Sequence, residues 1–190
     1  MDAVLEGSLV TLRVMDPERD SEFYNAWMKD SLFARMLDSD PIIFWPKKMM
    51  KDWLEKHMDG SIVMMMYLKG EDTKPIGFIA LDGINWVAGD AWVAIGIGDR
   101  EDWGKGYGTD AMRLMLRYAF CQLNLHRVSL SVFEYNPRAI RSYEKAGFVR
   151  EGAAPQFVER DGKRYDLVYM GVLRSEWKDT CPEDPSCDCI

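Results

Sequence analysis

Residues 103–109 read Trp103-Gly104-Lys105-Gly106-Tyr107-Gly108-Thr109, between an apolar run, Ala91–Gly98, and an amphipathic stretch beginning near Asp110. The run before the loop has strand length. Met112, Met115, Leu116, Ala119, Phe120 and Leu123 after it recur at the helical period, which predicts a helix over Asp110–Leu123. Three alternate glycines remove Cβ atoms, so a ligand can approach the backbone and the chain can take φ > 0. The helix then turns its unpaired N–H groups and positive dipole end toward the loop. A strand, such a loop and a helix make an anion site, best suited to a phosphate or pyrophosphate.

The remaining pattern alternates less regularly. Ser8–Val14 reads as a strand, Asp20 to about Leu37 as one or two helices, and Lys47–Met58 as a further helix. Ile62–Leu68, Pro75–Leu81, Ala91–Gly98, Arg127–Phe133, Phe148–Arg150 and Arg164–Val172 complete the strands. Asn136-Pro137 opens a short helix with a cap and Pro at its first position, and Gly147 stops it. No repeat or long linker interrupts the 190 residues, 47% of them hydrophobic, which predicts one mixed α/β domain with a sizeable core.

A net charge of −7 argues against nucleic-acid binding and favours an amine-bearing substrate. No apolar stretch approaches the roughly 20 residues that span a bilayer. The N-terminus lacks a signal-peptide pattern, so no membrane association and a cytoplasmic location are expected. Two histidines leave a tetrahedral metal site short of ligands, and no metal is expected. Cys181, Cys187 and Cys189 crowd an acidic, Pro-interrupted segment, 179–190, expected to be a flexible tail.

A P-loop is excluded because Lys105 is followed by Gly106. A dinucleotide fingerprint is closer, but Thr109 stands at its third glycine and the approach from Gly98 is too long for its tight turn. The downstream segment Asn136-Pro-Arg138-Ala139-Ile140-Arg141-Ser142-Tyr143-Glu-Lys-Ala-Gly147-Phe148 is more telling. With the glycine loop it resembles the GNAT superfamily of acyl-CoA-dependent N-acyltransferases. The loop is similar to the family's pyrophosphate pattern [Gln/Arg]-x-x-Gly-x-[Gly/Ala], with Trp103, Gly106 and Gly108 at the defining positions. Leu12-Arg13…Asp16 and Gly162-Lys-Arg-Tyr165-Asp166…Met170-Gly171…Glu176-Trp177 resemble the branch that acetylates ribosomal-protein N-termini.

The resemblance implies a central twisted, mostly antiparallel mixed sheet of about seven strands flanked by helices, forming a single domain over 1–178. It implies acetyl-CoA as cosubstrate, lying where Ala91–Gly98 and Arg127–Phe133 splay apart, and a homodimer is compatible with it. Backbone amides of Ile95, Gly96 and Ile97 would hold the cofactor and polarise the thioester. Trp103, Gly104, Lys105, Gly106, Tyr107, Gly108 and Thr109 would cradle the diphosphate, with Asn136, Arg138 and Arg141 as further contacts. Tyr143 occupies the place of the acid that protonates the departing thiolate. Trp103 departs from the usual Gln or Arg, removing one cationic group. Asp110 replaces the commoner Glu and would repel a phosphate if aimed at it.

Many relatives carry a Glu on the strand before the glycine loop as the base; Trp92 falls there, leaving Asp82, Glu134 or a water chain as candidates. The acceptor, a protein N-terminal amine or a small amine such as a polyamine or aminoglycoside, is expected to meet the N-terminal helices and the Pro41–Pro46 loop. Trp27, Phe33, Phe44, Trp45 and Trp53 are the candidate walls. The missing Glu also allows a non-catalytic acyl-CoA-binding module as the rival, with a dinucleotide oxidoreductase third.

Overall fold

The computed structural model describes residues 4–178; the cysteine-bearing tail lies outside them. Eight strands form one sheet: β1 (Val4–Glu6), β2 (Val10–Val14), β3 (Ile62–Leu68), β4 (Gly77–Asn85), β5 (Asp90–Ile97), β6 (Arg127–Phe133), β7 (Val149–Arg160) and β8 (Lys163–Leu173). The order is β1-β2-β3-β4-β5-β6-β8-β7. Every neighbouring pair is antiparallel except β5–β6. The strand beyond the expected seven is β1, whose three residues are too short to display an alternating pattern.

Five α-helices flank the sheet: α1 (Pro17–Trp27), α2 (Ser31–Leu37), α3 (Lys47–His57), α4 (Tyr107–Arg117) and α5 (Pro137–Ala146). Side chains on successive strand residues alternate between faces. Ile79, Leu81, Ala91, Val93, Val128, Leu130, Val132, Val168 and Met170 therefore join Met112, Met115, Leu116 and Ile140 in one core. Met65, Tyr67 and Phe78 join Tyr24, Trp27, Phe33, Met50 and Leu54 in a second. The molecule is three layers deep, α4 and α5 on one face and α1 and α3 on the other.

One boundary differs from expectation where it matters. The helix after the glycine loop starts at Tyr107, not near Asp110, and continues past Arg117 as a π-helical segment, Tyr118–Gln122. Tyr, Gly and Thr are weak helix formers, so propensity hides this first turn. The Asp20–Leu37 stretch divides into two helices because Asp16 and Asp30 each cap one, accepting from Glu18 N–H and from Leu32 and Phe33 N–H.

Candidate functional site

β5 pairs with β4 from Trp92 to Ile97 and, past a register shift, at Asp90, but with β6 at three positions only, Asp90↔Arg127, Ala91↔Val128 and Trp92↔Ser129. β6 stays in register with β8 through Phe133↔Leu167, so after Trp92 it leaves β5 behind. The gap between them is the wall of a cavity of about 510 Å³, lined by residues 93–97 of β5, 131–133 of β6, the glycine loop and the inner face of α5. Successive residues of a strand send their backbone groups to opposite sides. Gly98 N–H bonds Ile76 O on the β4 side at 2.9 Å, and Ile97 O is turned the other way, toward Trp103. Ile95 and Ile97 therefore direct their amides into the gap, while Gly96 pairs toward Phe78 of β4. Gly96 contributes through its missing Cβ, which would stand 2.7 Å from Phe78 and 3.0 Å from Phe33.

A 3-10 turn, Arg100–Asp102, takes up the long approach to the loop. Arg100 hydrogen-bonds Asp30, and that guanidinium holds the Asp30 carboxyl down to about 2. Gly104 and Gly106 lie at φ +79° and +92°, left-handed conformations open to glycine. Gly106 caps α4, whose first intrahelical donor is Asp110 N–H to Gly106 O at 3.1 Å. The amides of Tyr107, Gly108 and Thr109 precede it and have no such partner, so they are the groups an anion meets. Asp110 points away: its carboxylate is buried and accepts from Ser8, Leu9 (2.8 Å) and Val10 (3.0 Å) amides. It therefore does not repel a phosphate in the loop.

Trp103 donates Nε1–H to Ile97 O at 2.7 Å, and the Arg138 guanidinium carbon sits 3.7 Å from the Trp103 ring centroid. Lys105 is paired with Asp102 at 3.1 Å and does not line the cavity. Thr109 Oγ1 and Ser142 Oγ bond at 2.8 Å, tying α4 to α5. On α5, Asn136 is buried and caps the helix by accepting from Ala139 N–H at 3.2 Å. Arg138, Arg141 and Tyr143 follow it along the cavity wall. Burial pushes the Tyr143 phenol up to about 12, with the Arg138 cation opposing weakly. Its hydroxyl has no hydrogen-bond partner among the described residues.

Asp82 also lines the cavity, directly opposite Trp92 in the β4–β5 register, where the two sides of the gap begin to part. Glu134 does not. It is exposed, and its carboxylate accepts Asp166 N–H at 3.1 Å. Of the five aromatic candidates, only Phe33 reaches the cavity; Trp27 is buried, Trp45 and Trp53 pack edge-to-face on each other, and Phe44 is 69% exposed. Met36, Leu37, Ser131, Phe133 and Leu167 also line the site, although no sequence pattern singles them out as a group. Ser131 alone leaves a trace there, a polar residue alternating with Leu130 and Val132 in an apolar strand. Among the described residues no group of His, Cys, Asp and Glu is placed to hold a metal. No helix among them is long and apolar enough to cross a membrane.

Residues 10–149 match the family model of the acetyltransferase (GNAT) domain. The chain is 30% identical over 128 residues to spermidine N(1)-acetyltransferase of Vibrio cholerae, spanning 67% of this chain and 73% of that protein. It is 32% identical over 129 residues to the Bacillus subtilis protein named "Putative ribosomal N-acetyltransferase YdaF", covering 67% and 68% of the two chains. The crystal structure of the Vibrio cholerae spermidine N-acetyltransferase with CoA and spermine superposes with a TM-score of 0.78 at 25% identity, over 88% of this chain and 96% of that one. A dodecameric structure of spermidine N-acetyltransferase from Vibrio cholerae superposes at 0.72, with 26% identity over 87% and 94%.

Proposed function

The chain belongs to the GNAT acetyltransferase family, an acetyl-CoA-dependent N-acyltransferase, and we propose that it acetylates a primary amine entering beside Asp82, by direct transfer. The observation that carries this reading is the early parting of β5 and β6, which leaves Ile95 and Ile97 amides unpaired beside a glycine loop. The fit to CoA rests on three features of the chain. The open β5 edge can pair with pantetheine amides, three first-turn amides of α4 face the loop, and Arg138 brings a cation with no carboxylate partner among the described residues. When bound, acetyl-CoA supplies an activated thioester carbonyl.

In this reading Asp82 takes the proton of the incoming ammonium, directly or through one water. The Ile95 and Ile97 amides stabilise negative charge on the carbonyl oxygen as the C–N bond forms. Tyr143 gives its proton to sulfur as the C–S bond breaks. Its raised pKa keeps it protonated, and the same desolvated setting favours a protonated thiol. Phe33, Met36, Leu37 and Leu167 surround the acceptor's carbon chain. Residues 1–178 are read as one catalytic domain. The acceptor class, a polyamine-type small molecule or a protein N-terminus, follows the two kinds of relative. Self-association is proposed from the oligomeric relative, and a cytoplasmic location from the substrate chemistry.

Incubation with acetyl-CoA and a panel of polyamines, aminoglycosides and peptides, followed by CoA thiol release, tests it. Release with a free-amine acceptor and none with its N-blocked form is expected. Binding of CoA without release on any primary amine would overturn the reading.

A further inference from the structure

The cations around the glycine loop differ in what they already hold. Lys105 is paired with Asp102 within the loop and lies outside the cavity. Arg138 lines the cavity and, among the described residues, has neither an ion-pair nor a hydrogen-bond partner. Its guanidinium is half-buried on the face of Trp103, and burial shifts its pKa downward, the mark of a cation short of an anion. Trp103 is itself fixed, because its indole N–H is spent on Ile97 O at the end of β5.

We propose that Trp103 is a positioning residue that holds Arg138 as the phosphate-binding cation of the cofactor site, so that the two act as one unit. Trp103 stands where the family pattern has Gln or Arg, and the cation an arginine would supply there comes instead from α5, across a ring face. A flexible arginine loses rotamer freedom on binding an anion; stacked on an anchored indole, most of that loss is already incurred before the ligand arrives. The planar guanidinium suits both the stack and a phosphate oxygen pair, which a lysine cannot satisfy together. Arg141, one turn along α5, lies on the same wall but has no such support.

This inference rests on the cofactor reading above, and its test uses affinity rather than turnover. CoA binding is measured by calorimetry at several salt concentrations on the full chain and on Trp103→Leu, Arg138→Ala, Arg138→Lys and the Trp103→Leu/Arg138→Ala double variant. Removing one charge-assisted hydrogen bond to phosphate is worth about a tenfold rise in Kd. We expect that rise for Arg138→Ala and a similar one for Trp103→Leu. The double variant should rise no further than Arg138→Ala alone. The salt dependence should flatten equally in all three, and Arg138→Lys should fall between Arg138→Ala and the parent.

Trp103→Phe, which keeps a ring face and loses the anchoring N–H, guards against misfolding of the Leu variant and should fall between the parent and Trp103→Leu. Repetition with 3′-dephospho-CoA identifies the phosphate: a persistent Arg138 effect assigns the diphosphate, and its disappearance assigns the 3′-phosphate. Either result supports the unit. Multiplying effects in the double variant, or a salt dependence unchanged in Trp103→Leu, would overturn it. Failure of the unaltered chain to bind CoA would instead defeat the cofactor reading itself.

Discussion

Tyr143 and Asp82 approach one cavity from opposite sides of the gap, and each should leave a distinct kinetic trace. General acid catalysis is commonly worth about 10²–10⁴ in rate. Tyr143→Phe should therefore lower kcat about a hundredfold while CoA affinity, by calorimetry, stays within about twofold. With the phenol near 12, the parent enzyme should show no alkaline fall in kcat assignable to this group below about pH 11. A descending limb near pH 10 that vanishes in Tyr143→Phe would contradict the environment described. Asp82→Asn should depress the rate about a hundredfold at pH 7. The deficit should shrink toward pH 10, because an aliphatic amine of pKa about 10.4 then begins to arrive unprotonated. A deficit constant across that range would remove Asp82 as the base. Both residues are visible in the sequence, but for different reasons: Tyr143 through its fixed distance from Asn136, Asp82 only as one acid among several. What singles out Asp82 is the pairing with Trp92 across two strands, a relation no local pattern contains.

At the level of elements, α4 is held at its first turn by an uncommon device. Asp110 turns back from the helix and takes three amides, those of Ser8 and Leu9 in the β1–β2 connection and of Val10 at the start of β2. Gly7 permits this, since a Cβ there would come within 2.4 Å of Asp110 Oδ2. Asp110→Ala would strand those amides and should cost about 2–4 kcal/mol in urea unfolding, with CoA binding weakened because the loop amides shift with the helix start. Asp110→Glu, too long for the pocket, should recover less than half. Gly98→Ala should be costlier than a loop substitution, since its Cβ would lie 2.0 Å from the Trp27 indole nitrogen. The strands β3 and β6 are legible to the residue, because each is a short apolar run with sharp polar ends. The long β7 is not: its burial alternates poorly and Gly, Ala and Pro fill its middle, so its strand state follows from pairing with β8. The acceptor wall is equally hidden. α2 reaches the cavity because Tyr135 O–H binds Arg35 O at 2.7 Å, and Arg160 of β7 grips Ser39 O at 2.8 Å and Asp38 O at 3.2 Å.

For the molecule as a whole, the stability–pH profile is shaped by shifted groups at its acidic and alkaline ends. Asp30, lowered to about 2 by Arg100, adds stability above its ordinary value near 4 and loses it as pH falls through 2. Tyr143, raised to about 12, keeps its proton folded while the unfolded chain loses it from about 10, so stability declines as pH rises between those values. Tyr24, also pushed up by burial, acts in the same direction. Thermal melts should show the alkaline decline, and Tyr143→Phe should reduce it. Ligand at a hundredfold excess over its Kd should add about 2.7 kcal/mol, or about 5–10 °C in Tm for a chain of this size.

The sheet's interior also carries a cost rarely met away from an outer strand. Beyond Trp92, the inner borders of β5 and β6 do not pair with each other, and backbone groups left in that state are a template for foreign strands. On the proposed cofactor reading, pantetheine laid along that border would work as a detachable ninth strand, and CoA is then expected to slow aggregation on gentle heating, as read by light scattering.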